Sequence, residues 1–568
     1  MNNPRKIPPF YRRLGLGLLL GALALQAQEG IRKNSPAIDE PHHITMGYVF
    51  LKKGKFNLNM SNPPLINQIL AAPLFLLNLE FPGKFWSKIK DLPISTIPTT
   101  QLAVDLIFYN TQPAEKILLV CRLAALSLSC LLALLIYAWT RQCWGDAAAL
   151  ASVFLYTTCP SIVAHSGLAM IDLGAGLFLF LAIASLWRML HYPSRWSVLG
   201  TGLAFGFILA AKVSGIFVFP FAAAILLAHR YKNPSWDVPL KSLLAVVLIA
   251  SAFLVLDYFI VELPRYLTSL RWIFGNAIKR GWSNYLFGHK SPDGWIYYFV
   301  VNFLFKMPPA SIALMALGSY WAYRTKNGYF LLIPVVMYFA LASTSKVQLG
   351  IRHLLPIFPF LFMMGGLALG RLLQNPKTRW IGSLAILTLL IERVSTYPND
   401  LAYLSPLAGG PSAGWRLIQD SDYGQNFKRL GDYLSKRPGT EVVLSSNQTA
   451  PAEYYGIHAQ NYFSNQRYGR RPFRLNSLAP LREILAVDTS VLLNMPEKFN
   501  SLKNKKIADK IGQTVFIYDI TQDEEFHRQM LEEYEKEGLS EQAEHERQRI
   551  QAIAKNSQAD SGFSLNQR

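Results

Sequence analysis

From Leu14 to about Val394 the chain alternates long apolar runs with short polar turns, whereas from about Ser395 to Arg568 no run is long enough to cross a hydrocarbon layer of roughly 30 Å. The apolar runs predict membrane helices over Leu14–Ala27, Ile117–Trp139, Ala147–His165, Leu168–Leu190, Val198–Ala211 and Val213–His229. Further runs follow at Leu243–Val261, Trp295–Phe305 continuing into Pro309–Tyr323, Tyr329–Ala342, Leu354–Gly370 and Trp380–Ile391. Several fall short of the ~20 residues of an untilted span, so the pattern predicts about eleven transmembrane helices with loosely set ends. The first run follows Arg5, Lys6, Arg12 and Arg13 and offers Ala22, Ala24 and Ala27 as a cleavage pattern. It is read here as a short retained span, because the candidate catalytic segment a few residues later needs an anchor.

The polar remainder reads as α/β. Asn426–Lys436 carries Phe427, Leu430, Tyr433 and Leu434 at helical spacing, while Glu441–Ser446, Ser490–Met495 and Thr514–Ile520 are short β-rich runs. After Asp523, the residues Phe526, Met530, Tyr534 and Leu539 stand among Glu, Gln and Arg, as in one or two solvated amphipathic helices. The last dozen residues are expected to lack order. The predicted fold is a polytopic α-helical membrane protein with external loop helices and a C-terminal soluble α/β domain. Its parts are residues 1–394 spanning the membrane, with a first external loop over 28–116, an external α/β domain over 395–522, and a charged helical tail over 523–568.

Composition sharpens this picture: 51% of the 568 residues are hydrophobic and 16% charged, too apolar for an ordinary soluble chain. The formal net charge of +20 is spread through short loops and is not gathered on one face, so it does not imply nucleic acid. Placing the N-terminus in the cytoplasm puts Arg5, Lys6, Arg12, Arg13, Arg141, Arg188, Arg195, Arg230, Lys232, Lys241, Arg324, Lys326, Arg371, Lys377 and Arg379 inside. The short outside loops then hold Lys212, Lys346 and Arg352, and the positive-inside rule favours a cytoplasmic N-terminus and an external C-terminus. The cysteines Cys121, Cys130, Cys143 and Cys159 lie in or beside apolar runs without metal-like spacing and read as small core residues.

That orientation collects the candidate chemistry on one side. Asp39-Glu40-Pro41-His42-His43 follows the first span, with Gly47-Tyr48, Asn57-Leu58-Asn59 and Asn62-Pro63-Pro64-Leu65 beyond it. A carboxylate there could take a proton from an attacking hydroxyl, or Asp39 could cap a helix beginning Glu-Pro. Asp172 sits at the outer end of an apolar span, where an ionised group is costly; it reads as a site residue, a snorkelling side chain or an interhelical hydrogen bond. Lys212 stands where one span turns into the next and either neutralises a lipid phosphate or snorkels. The stretch from Lys346 to Pro356 carries Lys346, Arg352 and His353 at the mouth of another span. Its planar guanidinium suits phosphate, and headgroup anchoring is the competing role.

Taken in order, these pieces resemble one family. The pattern Asp39-Glu40, Gly47, Asn62-Pro63-Pro64-Leu65, Asp172, Lys212, Tyr285-Leu286-Phe287-Gly288, Gly294-Trp295, Tyr298-Phe299, Lys306-Met307-Pro308 and Gly350-Ile351-Arg352-His353-Leu354-Leu355-Pro356 is similar to the bacterial branch of the protein O-mannosyltransferase and aminoarabinose transferase family. These are phospholipid carrier-dependent glycosyltransferases of the GT-C fold. Tyr403, Gly409-Gly410-Pro411 and Asp420-Ser421-Asp422-Tyr423-Gly424-Gln425 extend the resemblance into the tail. Two departures stand out: Asn62 occupies a position that is acidic in many relatives, and Tyr423 replaces the usual Trp.

The resemblance implies an inverting transfer of a sugar from a polyprenyl monophosphate to a protein, lipid or glycan acceptor at the outer face of a bacterial inner membrane. It implies that Asp39 is the base, with Glu40 beside it and Asp172 a second acidic site residue, and that Lys212, Arg352 and His353 hold the donor phosphate. No cofactor is expected, since a polyprenyl phosphate is already a stable leaving anion that cations can stabilise. His42, His43, Asp39 and Glu40 are an alternative holder for a divalent ion, although adjacent side chains diverge. A membrane transporter, a non-enzymatic assembly protein and a ligase using a diphosphate carrier are the competing readings. Transporters usually place their charges near the midplane, whereas these gather at one surface.

Overall fold

The apolar runs form helices, and prolines decide where those helices bend. The computed structural model of the protein describes residues 7–54, 62–82, 87, 99–234, 239–260, 262–275, 283–464 and 474–565; the Asn57-Leu58-Asn59 element lies outside them. The chain divides into two compact units, one of residues 1–32 and 39–420, the other of 33–38 and 421–568. Residues 395–420, assigned to the external domain on sequence, thus pack with the membrane unit.

In the first unit the helices are α1 (Pro9–Lys33), α2 (Glu40–Lys53), α3 (Leu65–Ala71), α4 (Thr99–Phe108), α5 (Ala114–Trp144), α6 (Asp146–Thr158), α7 (Pro160–Ser166), α8 (Asp172–His191), α9 (Arg195–Ala211), α10 (Val218–Lys232) and α11 (Leu240–Asp257). They continue as α12 (Pro264–Gly275), α13 (Tyr298–Lys306), α14 (Pro309–Tyr323), α15 (Tyr329–Ser343), α16 (Phe358–Gln374) and α17 (Arg379–Thr396). A short antiparallel hairpin, β1 (Asn284–Leu286) and β2 (His289–Ser291), follows α12. Each predicted span contains a helix among the described residues. Among the described residues, six helices are long and apolar enough to cross a membrane, or eight if each of two bent pairs is one span, against about eleven expected. Helices α9 and α15 are apolar but fall below the length of a full span.

Three spans differ in shape from expectation. The first, expected to be short, is a 25-residue helix, because the polar residues flanking Leu14–Ala27 continue the helical turn. The run Ala147–His165 bends by 70° between α6 and α7, and the run from Tyr298 to Tyr323 by 119° between α13 and α14. Pro160 sits at the start of α7, and Pro308 precedes Pro309 at the start of α14; a proline cannot donate to the preceding turn, so the helix stops and restarts in a new direction. Helix α16 is the buried centre of the unit. Close approach is possible because Gly366 lies where a Cβ would meet Ser152 Oγ at 2.0 Å, and Gly318 where one would meet Met364 O at 1.8 Å.

A buried ion pair ties the start of α2 to α5. Arg122 Nε and Nη2 donate to the two Glu40 carboxylate oxygens at 2.9 and 2.7 Å, and Nη1 donates to Ile31 O at 2.8 Å. Glu40 Oε1 also accepts from the Ala169 N–H at 2.8 Å, which fixes the loop just before α8. Both side chains are almost wholly excluded from solvent. Such a pair is held by geometry, and removing one partner strands the other charge.

The second unit carries a five-stranded sheet in the order β4-β3-β5-β7-β6, with β3 (Thr440–Ser446), β4 (Ala459–Ser464), β5 (Arg482–Asp488), β6 (Asp509–Ile511) and β7 (Val515–Asp519). Strands β3, β4 and β5 are parallel; β7 runs antiparallel to β5 and to β6. Helix α18 (Phe427–Ser435) and strands β3 and β7 lie where the sequence pattern puts them. The run Ser490–Met495, read as a strand, is instead a short helix over Thr489–Asn494, and the neighbouring strand is Arg482–Asp488. A short apolar run fits either state, and the core claimed Ile484 to Val487 on both faces. The tail forms α19 (Glu524–Lys536) and α20 (Ser540–Leu565).

These tail helices are not merely solvated. His527 Nδ1 lies 2.7 Å from Glu546 Oε2, and Arg549 Nη2 donates to Glu483 Oε2 on β5 at 3.1 Å. Burial opposes charge on His527, but its bonds to Glu483 and Glu546 prevail and raise its pKa to about 9. Asp488, at the end of β5, lies buried beside Asp422, and both effects push its carboxyl well above the usual range.

Two predictions follow from this packing. Arg122→Ala should cost about 3–5 kcal/mol, seen as a large drop in melting temperature in detergent; an unchanged melt would refute the strut. The His527 contribution is present below an unfolded pKa near 6.5 and is lost as pH rises through about 9, and the raised Asp488 acts in the same direction. Amides of β3 and β5 should therefore be less protected at pH 9 than at pH 6.5 in hydrogen exchange corrected for intrinsic rate, with the slope reduced in His527→Gln. Constant protection across that window would contradict the assignment.

Candidate active site

Four helix ends in the first unit bring the charged residues together. Helix α8 begins with Asp172 and α9 ends before Lys212, so the antiparallel neighbours place both at the same end. Lys212 is extended (φ −152°, ψ 142°) between α9 and a 3-10 turn over Val213–Phe217. Gly215 makes that turn possible, since a Cβ there would meet Ile208 O at 2.1 Å. Asp39 immediately precedes α2, and Arg352 lies in the 3-10 turn Ile351–Ile357 that leads into α16.

Two ion pairs result. Lys212 Nζ donates to Asp172 Oδ1 at 2.6 Å, and Arg352 Nη1 donates to Asp39 Oδ2 at 2.5 Å. Asp39 makes no capping bond to α2, so its carboxylate is engaged by Arg352 and not by the helix it precedes. The pairs share one neighbourhood: Arg352 acts electrostatically on Asp172 and Lys212 as well as on Asp39, and His353 is within reach of all four charges. The His353 ring stacks on Phe299, with centroids 6.1 Å apart and planes at 22°. Burial works against the Asp39 anion, yet Arg352, with His43 and His42, holds its carboxyl below the usual range. Burial dominates at His43 and lowers its pKa, so the ring is neutral at pH 7; its Nδ1 lies 3.1 Å from Asn67 Oδ1 on α3. The Asp39 side chain is 38% exposed and that of Asp172 6%, so Asp39 is the acid an incoming molecule can reach.

The structure does not bring every candidate to this cluster. Glu40 turns away into the bidentate bond with Arg122, and Lys346 pairs with Asp293 at 2.6 Å. Among the described residues no group of three or more His, Cys, Asp or Glu side chains is arranged to hold a metal ion. The four-residue holder Asp39, Glu40, His42 and His43 is divided, with Glu40 on Arg122 and His43 on Asn67. All four cysteines are free, Cys121 and Cys159 within the core.

Sequence reasoning passed over the residues that support Arg352. Asp420 Oδ2 accepts from the Ile351 N–H at 2.7 Å and from Asn302 Nδ2 at 2.8 Å. Lys306 Nζ donates to the main-chain carbonyls of Asp420 at 2.7 Å and Leu401 at 2.9 Å. Lys306 and Asp420 stood inside quoted motifs, but nothing in a linear pattern says that residues 302, 306, 351 and 420 meet.

Residues 110–258, which run from the residues before α5 to the end of α11 and include Asp172 and Lys212, match the family model described as dolichyl-phosphate-mannose-protein mannosyltransferase. No curated protein matches the chain. The solved structures it resembles include ArnT from Cupriavidus metallidurans bound to undecaprenyl phosphate, with a TM-score of 0.48, 11% identity and coverage of 88% of this chain and 97% of that one. Another is the S. cerevisiae protein O-mannosyltransferase Pmt1-Pmt2 complex bound to the sugar donor, with a TM-score of 0.32, 21% identity and coverage of 48% and 36%. A third is the oligosaccharyltransferase AglB from Archaeoglobus fulgidus with an inhibitory peptide and a dolichol-phosphate, at 0.41, 11%, 80% and 65%. The match over residues 110–258 bears out the resemblance read from the sequence.

Proposed function

We propose that this protein transfers a sugar from a polyprenyl monophosphate carrier to an acceptor hydroxyl on a protein, lipid or glycan, with inversion, at the outer face of a bacterial inner membrane. One observation carries the reading: two acid–cation pairs, Asp39–Arg352 and Asp172–Lys212, converge at the same end of helices in one unit. The distribution of Lys and Arg favours that end being outside, with the N-terminus in the cytoplasm and the α/β unit external.

The chemistry follows from what each group can do. The donor phosphodiester draws Arg352 and Lys212, which now rest on carboxylates, and His353 flanks the same place. Asp39, released from Arg352, regains basicity and accepts the proton of the acceptor hydroxyl. The acceptor oxygen bonds to the anomeric carbon from the face opposite the phosphate. The carbon–oxygen bond to phosphate breaks, and the carrier leaves as its phosphate with the bonding pair. The two cations stabilise the charge that develops there, and Asp172 orients Lys212 and the acceptor side of the pocket.

Transfer of radiolabelled sugar in proteoliposomes tests this. Asp39→Asn should lower the rate by about 10²–10⁴-fold without weakening binding of a polyprenyl monophosphate; full activity in that variant would end the proposal. Lys212→Ala and Arg352→Ala should raise the donor KM. Because Asp39 titrates below the ordinary carboxylate range, its base form persists as pH falls and is lost only at that depressed value. No acid limb from Asp39 is expected in kcat/KM between pH 5 and 8. In Arg352→Ala the limb should move to higher pH.

A further inference from the structure

Beyond the residues that meet the donor, we infer that Asp420 is a positioning residue that sets Arg352 for phosphate binding, through a buried clamp formed with Asn302 and Lys306. The inference rests on the reading of Arg352 as a donor-phosphate ligand.

Arg352 lies one residue into a tight 3-10 turn, and the turn's start is the point that fixes where its guanidinium can reach. Ile351 contributes the first N–H of that turn, one of the donors that a helix start leaves without an internal partner. Here the acceptor comes from 69 residues away in sequence: Asp420 Oδ2 takes the Ile351 N–H at 2.7 Å. The carboxylate thus acts as a cap supplied from a distance, with its negative charge at a helix start where it is favoured.

The fit is specific. Gly350 has φ +84°, and a Cβ there would lie 2.1 Å from Asp420 Oδ1, so the chain brings its backbone onto the carboxylate at a place only glycine allows. Asn302 Nδ2 donates to the same Oδ2 at 2.8 Å, and Lys306 Nζ, one turn along α13, grips the Asp420 carbonyl at 2.7 Å. Asp420 is 3% exposed, Asn302 fully buried and Lys306 2% exposed. Water therefore cannot substitute for a missing partner, and a polar support of this kind is expensive to leave incomplete. Helix α13 also carries Phe299, on which His353 stacks. The clamp therefore anchors both donor-side residues, Arg352 and His353, to one helix face, while Asp420 itself touches neither reactant.

The test is a double-mutant cycle on the full-length chain in detergent, measuring binding of a polyprenyl monophosphate and, separately, transfer kinetics. If Asp420 acts through Arg352, Asp420→Ala weakens binding about as much as Arg352→Ala, and the double variant is no weaker than Arg352→Ala alone. The rate at low donor concentration should fall on the order of 10²-fold, the cost of a misplaced group, with the acceptor KM unchanged. Asp420→Asn, which keeps a carbonyl acceptor for Ile351 and Asn302, should recover much of the loss. Losses that multiply in the double variant, or wild-type binding in Asp420→Ala, would overturn the inference while leaving the donor site standing. No binding by the wild type, or no effect of Arg352→Ala, would remove the donor reading itself. Should Asp420→Ala fail to fold, Asn302→Ala must show the same lack of additivity with Arg352→Ala.

Discussion

An unpaired charge at the edge of an apolar helix bundle is expensive, and that constraint organises the first unit. Lys212 follows α9 and Arg352 lies in the turn that leads into the buried α16, and each is matched by a carboxylate. Matching makes the cations tolerable; it also keeps two positive groups close together without mutual repulsion dominating. The arrangement needs antiparallel neighbours that begin and end at one level, which the α8 and α9 boundaries supply, and a return of the chain at Gly350. A pair of this kind differs from a purely structural one in its exposure: Glu40–Arg122 is sealed, whereas Asp39 is partly open.

Sealed polar contacts hold the open ones in place. Glu40 follows Asp39 in sequence and accepts from Ala169, three residues before Asp172, so one buried carboxylate indexes the backbone beside both acids of the cluster. Asp420 does the same for the cation side through Ile351 and Asn302. Acid side and cation side each have their own buried strut, made from residues that do not face the cluster. Rigid support of this type is what keeps reacting groups within the small tolerance that catalysis demands.

How much of this was legible in the sequence depended on the range of the signal. Apolar runs announced the long helices of the membrane unit, because burial in lipid leaves a local compositional mark, whereas α2, α3, α4 and α12 lie outside the predicted spans. Asp39, Asp172, Lys212 and Arg352 stood out as charged residues at span ends, and the structure brings them together. Glu40 looked equivalent to Asp39, but one step along a helix points its side chain elsewhere, and only the partner Arg122, 82 residues away, shows where. Asp420 stood inside a quoted motif and Asn302 in none, but the role of both lies in a meeting of distant segments. The bends at Pro160 and Pro308 were written in the sequence as prolines, yet hydropathy alone reads straight through them. In the second unit, Ser490–Met495 and Arg482–Asp488 are both short apolar runs, and pairing with β3 and β7, invisible in either run, decides which is the strand.

Charge conservation gives the paired resting state a role in the proposed reaction. Two carboxylates and two cations cancel, and a donor phosphodiester brings one negative charge into the pocket. As transfer proceeds, the departing phosphate gains a second negative charge, while the proton lost by the acceptor neutralises Asp39. The total is the same before and after, and only its location moves, from the acid that Arg352 holds at rest to the phosphate that Arg352 then meets. The cations therefore interact more strongly with the late state than with the early one, which is the condition for lowering the barrier and not merely for binding. A site with the same cations but no acids would bind the donor phosphate tightly from the outset and hold the spent carrier more tightly still. In the proposed reaction Asp39 and Asp172, by competing for Arg352 and Lys212, would weaken that grip and let the carrier go.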